Sequence, residues 1–302
     1  MQLWHLLVLL YILIAHGLFQ YLLKSIVHLP TREKRFFLQY VFCAVVSTGV
    51  AVYLNSLEFS FVSLAIFVLG FFNGMAAYAQ WKATEISQSK NALFTIFDDF
   101  IAVALGFIVF NEGKHLNPGI IAGIVLSIMA VVLFGLRDYR KKRIGTKEKN
   151  MMLYAYVAFY SIIWGIAIFM MKYFGVALGV EVSTFLYSWY CGALIAALII
   201  LSLEARKKRV GLIQKVKAAF TARNMAIASV LGLCILVPLG IEYWIYLLVP
   251  LIVVQPIFLI SAIVVPSLIG LFWFKEKSGF DSRDWILFLI GLAGGILIAI
   301  SY

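Results

Sequence analysis

The sequence predicts an all-α polytopic membrane protein, with ten transmembrane helices in two inverted five-helix repeats. Three observations predict it. The 302 residues divide into ten long apolar runs, the basic residues crowd into alternate gaps between them, and the second half repeats the punctuation of the first. The chain is 64% hydrophobic and only 13% charged, whereas soluble domains are roughly half apolar and a quarter charged. Each run approaches the ~20 residues that an α-helix needs to cross ~30 Å of hydrocarbon. A membrane β-barrel would instead alternate over ~10-residue strands.

The first run, 3–23, has no basic residue before it and no small-residue cleavage pattern. It therefore reads as a retained helix, not a cleaved signal peptide. His16 and Gln20 lie four apart, on one face. Such a pair serves equally as interhelical glue or as part of a site. Lys24, Arg32, Lys34 and Arg35 fill the gap before the second run, 36–54. In the third run, 61–81, Asn73 and Gln80 lie seven apart and share a face, with Tyr78 close by. Its Gly70-xxx-Gly74 spacing predicts close helix packing.

After Lys82 and Lys90, the fourth run, 91–110, carries Asp98 and Asp99 about eight residues in, near the midplane. A carboxylate there costs about 2.5–3.5 kcal/mol on insertion scales, so it marks a functional site by default. No Lys or Arg lies at that depth, which leaves a proton or a cation to balance the charge. Neighbouring helical residues point ~100° apart, so one is expected to face a cavity and the other a neighbouring helix. The bland reading is a pair of hydrogen-bonded acids that fixes packing. The fifth run, 118–136, brings a second small-residue spacing, Gly119-xxx-Gly123. A basic linker at 137–150 separates the first unit, 1–136, from the second, 151–302.

The sixth run, 151–171, carries Trp164-Gly165 and ends at Lys172. The seventh, 183–203, holds Tyr187, Trp189 and Tyr190, which suit a pocket or an interfacial aromatic belt. A basic stretch at 204–224 has an amphipathic pattern around Leu212, Ile213, Val216 and Phe220. The eighth run, 225–247, places Glu242 just after Pro238 and Gly240. That pair is expected to bend or break the helix and free carbonyls towards a cavity; an acid snorkelling to the interface is the alternative. Gln255-Pro256 begins the ninth run, 253–274, which Pro266 also interrupts. The tenth run is 285–302.

Alternate gaps hold 23 of the 25 Lys and Arg residues, and the other gaps hold only Lys114 and Lys172. The positive-inside rule then puts both termini outside the cell (inner) membrane. The net charge of +11 is accounted for by loops facing anionic lipid, and nucleic acid is not expected as a partner. Cys43, Cys191 and Cys234 all fall inside apolar runs, where packing and not disulfide chemistry is expected.

The halves repeat each other. Gly17 precedes Lys24 by seven residues, as Gly165 precedes Lys172; Gly106-Phe110-Glu112 recurs as Gly270-Phe274-Glu276. Five helices per unit is odd, so the second unit must enter upside down, the architecture of transporters with a site at the repeat interface.

The stretch from Ala76 to Leu116, with Ala83, Gly106 and Glu112, resembles the first-half signature of EamA-like transporters of the drug/metabolite transporter superfamily. Trp164-Gly165, Lys172, Gly270 and Glu276 resemble its second half. The chain departs from that pattern in having His16-Gly17 for Trp-Gly and Asp99 near a usual Pro. Members are also usually drawn with both termini inside; the charge partition is followed here. The resemblance implies export or import of a small metabolite or drug, without naming it.

The expected function is thus secondary transport of a small solute, driven by exchange, by its own gradient or by coupling to H+ or Na+ at Asp98/Asp99. The candidate site comprises Asp98, Asp99, His16, Gln20, Asn73, Tyr78, Gln80, Trp164, Glu242 and Gln255. No cofactor and no metal are expected: there is no metal-ligand spacing, Gly-rich phosphate loop or nucleophile elbow. Partners are the lipid bilayer and the solute, with a homo-oligomer left open. The rival readings are an intramembrane enzyme acting on a lipid through the aspartates, and a non-transporting scaffold.

Overall fold

A computed structural model describes residues 3–29, 31–88, 91, 96–140, 147–275 and 282–301. Among these the chain is helical, with no strand. The long helices are α1 (Leu3–Ile26), α2 (Arg32–Tyr53), α3 (Phe61–Ile86), α4 (Ile96–Phe110) and α5 (Pro118–Arg140). Then come α6 (Lys147–Lys172, running on through Tyr173–Ala177) and α7 (Val182–Lys207), and the short α8 (Leu212–Lys217). The chain continues with α9 (Ala222–Leu248), α10 (Leu251–Leu268, running on through Ile269–Trp273) and α11 (Ser282–Ser301). Among the described residues, seven helices are long and apolar enough to cross a membrane, and Pro118–Ala130 and Trp285–Gly294 are shorter apolar stretches.

The bundle is organised for a solvent of lipid. Its outside carries large apolar side chains, such as Phe61 at 86% exposure and Ile108 at 74%, while polar groups including Gln39, Glu242 and Gln255 are buried. In water this arrangement would be unfavourable, because exposed apolar surface is what folding removes. In hydrocarbon it is required, since polar groups there need partners inside the protein.

The helix ends follow local chemistry. Ser60 and Ser63 cap α3 reciprocally, each hydroxyl taking the other's backbone N–H. Thr221 accepts from the Asn224 N–H at the start of α9. The helix α9 runs unbroken through Pro238, and α10 through Pro256 and Pro266. The expected bend or break is therefore not a rupture. Tyr190 donates to the Ile235 carbonyl at 2.9 Å, beside the Cys234 carbonyl that Pro238 deprives of its helical donor.

Packing is set by close approaches at small residues. A Cβ on Gly70 would lie 2.1 Å from the Trp189 carbonyl oxygen, and one on Gly192 would lie 1.9 Å from that of Phe67. The helices α3 and α7 therefore cross backbone on backbone. A Cβ on Gly232 would meet Phe42 and the Gln39 carbonyl, joining α9 to α2; one on Gly165 would meet Asp98 and Ile101, joining α6 to α4. Gly17 faces Val265 of α10. The helix α1 packs on α9 and α10, while α6 packs on α3 and α4. Finally α5 lies against α11, where a Cβ on Gly294 would meet the Gly123 carbonyl.

Candidate functional site

Between these helices lies a cavity of about 160 Å³. Drug-sized pockets run to about 300–1,000 Å³, so this one suits a small solute. Both units wall it. The helix α1 contributes His16 and Gln20, α3 contributes Asn73 and Gln80, and α4 contributes Asp98 and Asp99. Trp164 comes from α6, Glu242 from α9 and Gln255 from α10. Nine of the ten expected residues thus converge.

Tyr78 does not, and this corrects the sequence reading. Two residues from Gln80, it points ~200° away around the helix. Its hydroxyl donates to Glu33 at 3.2 Å, its ring packs edge-on to Phe36, and the Lys82 ammonium lies 5.6 Å from the ring centre. It belongs to a cluster in which Arg32 pairs with Glu33 at 2.7 Å and with Glu85. Asp98 and Asp99 both border the cavity, where the sequence predicts one facing it and the other a neighbouring helix. Gly165 packs against the Asp98 backbone, and the Asp98 carboxylate accepts from the Asp99 N–H at 2.9 Å, so Asp98 is held in place.

Glu242 is 2% exposed and does not snorkel outward. Tyr246, one turn on, donates to its carboxylate, and the Gln255 amide donates to Tyr246 at 2.7 Å. Tyr11 faces the same carboxylate. The Nδ1 of His16 lies 2.8 Å from the Ser261 hydroxyl, which also lies 2.8 Å from the Phe258 carbonyl. One ring nitrogen of His16 is thereby engaged across the bundle by α10. A widened π-helical stretch, Ile12–Leu18, contains this His; such stretches favour functional sites.

Several wall residues were not singled out from sequence. Gln39, Tyr40 and Tyr160 line the cavity, as do Asn91 and Gln88. The ring of Trp164 stacks on Tyr160 with centres 6.3 Å apart and meets Trp189 edge-on. The signal available was helical phase: Tyr160 and Trp164 lie four apart. No Lys or Arg lines the cavity among the described residues, and no group of three His, Cys, Asp or Glu among them is placed to hold a metal.

A buried ion pair outside the cavity lining is the largest omission from the sequence reading. Glu112, two residues beyond the fourth apolar run, is 3% exposed and pairs with Lys172 at 2.5 Å. Its carboxylate also accepts from the N–H groups of Leu251 at 3.1 Å and Ile252 at 3.0 Å, which open α10. Such N-terminal donors have no partner within their own helix. Glu276, which the sequence pairs with Glu112, lies outside the described residues. On the side of α1 and α3, Lys24 donates to the Thr84 carbonyl at 2.9 Å and Gln88 to that of Gln20 at 3.1 Å.

No family model matches the chain, and no curated protein matches it. A solved structure described only as "Crystal structure of protein" is similar over 98% of this chain and 96% of its own, with a TM-score of 0.63 at 14% identity. That likeness is one of fold.

Proposed function

We propose that this chain is a secondary transporter of the EamA-like kind, moving a small solute across the cell membrane by alternating access. Its units, 1–136 and 151–302, would be inverted five-helix repeats joined by the basic segment 137–150, giving ten crossings with both termini outside. The observation that carries the reading is the cavity: buried between the units, lined by Asp98, Asp99 and Glu242, and without a Lys or Arg in its wall. Acids held in the apolar interior mark ion and substrate paths. A proton or sodium ion on these carboxylates is the coupling ion of the proposal.

The packing supports the repeats. What α1 does with α9 and α10, α6 does with α3 and α4. Gly17 meets Val265, and Gly165 meets Ile101; counted from Gly270 and Gly106, Val265 and Ile101 stand at the same place. Gly70 meets the carbonyl of Trp189, and Gly232 that of Gln39. In this frame His16 corresponds to Trp164, Gln80 to Glu242, Asn91 to Gln255 and Tyr40 to Tyr190, and all eight line the cavity.

The test is reconstitution. Liposomes carrying the protein, loaded with a metabolite mixture, should release or exchange a subset of solutes that empty liposomes retain. Absence of any flux, or chemical change in the lipid instead, would refute the proposal.

A further inference from the structure

We infer that the cavity binds a small organic ammonium ion bearing N–H donors, an inference that rests on the transporter reading for its purpose but not for its chemistry. The wall is rich in acceptors that lack donors. The side-chain oxygens of Gln39, Asn73 and Asn91 are buried without a hydrogen-bond partner, and these residues are 1%, 6% and 4% exposed. Their positions on α2, on α3 and just before α4 bring them to one cavity together with Asp98, Asp99 and Glu242.

Three donors in the same wall are already spent. Tyr190 gives its proton to Ile235, Gln255 gives one to Tyr246, and the Asn91 amide donates to Thr84 at 3.1 Å. An unmet buried acceptor costs about 1–3 kcal/mol, so a donor-bearing guest gains where a guest without donors does not. Charge selects in the same direction: an ammonium balances an ionised carboxylate in this wall, whereas a carboxylate guest would set like charge against it.

The rest of the guest is set by the aromatic residues. The rings of Tyr11, Tyr160, Trp164 and Phe258 border the cavity, and Tyr11 and Phe258 lie 4.3 Å apart. Tyr11 and Tyr160 are each within electrostatic reach of all three carboxylates. Aromatic faces attract cations, more strongly when dry, and they shelter an apolar body. Charge, donors and rings therefore point to one guest, an amine with a short apolar or aromatic skeleton.

The experiment is a binding series on the purified full chain in detergent, read by calorimetry. The probes are 2-phenylethylamine, 2-phenylethanol, 3-phenylpropionate and the N,N,N-trimethyl form of the amine. The amine should bind, with the alcohol and the carboxylate weaker by ~10-fold or more, as expected for a site built to pair a polar group. The trimethyl form should also bind more weakly, having charge but no N–H. Equal affinity for the alcohol, tighter binding of the carboxylate, or no amine binding would overturn the inference; a trimethyl form as tight as the amine would overturn its donor requirement. The Glu242→Gln and Asp98→Asn variants should lose the preference for amine over alcohol; should they not fold, the wild-type series alone decides. Amine binding without flux of the amine or of any other solute in liposomes upholds the site and refutes transport. Flux of a neutral or anionic solute without amine binding does the reverse.

Discussion

Lys172 and Glu112 are 60 residues apart in sequence, yet their charged groups meet at 2.5 Å, with the ammonium also donating to the Val249 carbonyl at 3.3 Å. The carboxylate caps the first N–H groups of α10 at the same time. One pair thus ties together the end of α4, the end of α6 and the junction of α9 with α10. Removing one partner from a buried ion pair costs about 3–5 kcal/mol, because the other charge is left alone, whereas removing both costs far less. Glu112→Gln and Lys172→Met should each lower the melting temperature in detergent sharply. The double variant should recover much of the loss, short of the part due to the α10 amides. Additive losses in the double variant would show that the two groups do not act as a pair.

The crossing of α3 with α7 leaves no space for a methyl group. Gly192→Ala would put its Cβ 1.9 Å from the Phe67 carbonyl oxygen, and backbone cannot move aside as a side-chain tip can. Overpacking costs about 1–3 kcal/mol and sometimes more, so this variant should unfold earlier or express poorly. Gly49 in α2 has nothing within 4 Å of its Cβ position. Gly49→Ala should therefore be neutral or stabilise by about 0.5–1 kcal/mol, through the helix interior's preference for Ala over Gly. Thermal unfolding of both proteins checks the contrast, and similar melting temperatures would contradict it.

Charge at the aspartates should matter more than shape. Asp98→Asn and Asp99→Asn keep the volume and some hydrogen bonding while removing the carboxylate. At least one should abolish flux in liposomes or change its dependence on pH, with normal insertion. Asp99 is the favoured member, since Asp98 is already engaged by the Asp99 N–H and the α6 crossing. If both variants transport like the parent from acidic to neutral pH, the site must be sought around His16, Gln80 and Glu242.

Tyr78 and Gln80 separate helix-face logic from proximity in sequence. Tyr78→Phe removes only a hydroxyl directed at Glu33 and should leave flux within about twofold, the change produced by ~0.4 kcal/mol. Gln80→Leu alters the cavity wall and should reduce flux or change its selectivity. A reversal of these outcomes would move the working site from the cavity to the Arg32–Glu33 cluster.

The 23-to-2 partition of basic residues makes the topology testable. A reporter that works only in the cytoplasm should be silent when fused after Tyr302 and active when fused after Arg143. The opposite pattern would invert the proposed orientation.

The sequence by itself determined the class of the molecule. Run length and hydropathy are local properties that decide whether a segment is helical and stable in lipid, and seven helices among the described residues meet the requirement outright. Spacing within one helix was legible for the same reason: His16 with Gln20, and Asn73 with Gln80, share faces because the helical period is fixed, and both pairs reach the cavity. Tyr78 shows where proximity in sequence misleads once the phase is ignored. Only the tertiary structure decided which faces look at one another. The meeting of His16 with Ser261 across 245 residues, of Lys172 with Glu112, and of Gln39, Tyr40 and Tyr160 around the acids depends on how each helix is rotated and where it crosses its neighbours. Those rotations are set by close approaches at residues such as Gly70, Gly165 and Gly192. Apolar helices in an apolar solvent are not oriented by hydrophobicity, so packing and buried hydrogen bonds choose the arrangement.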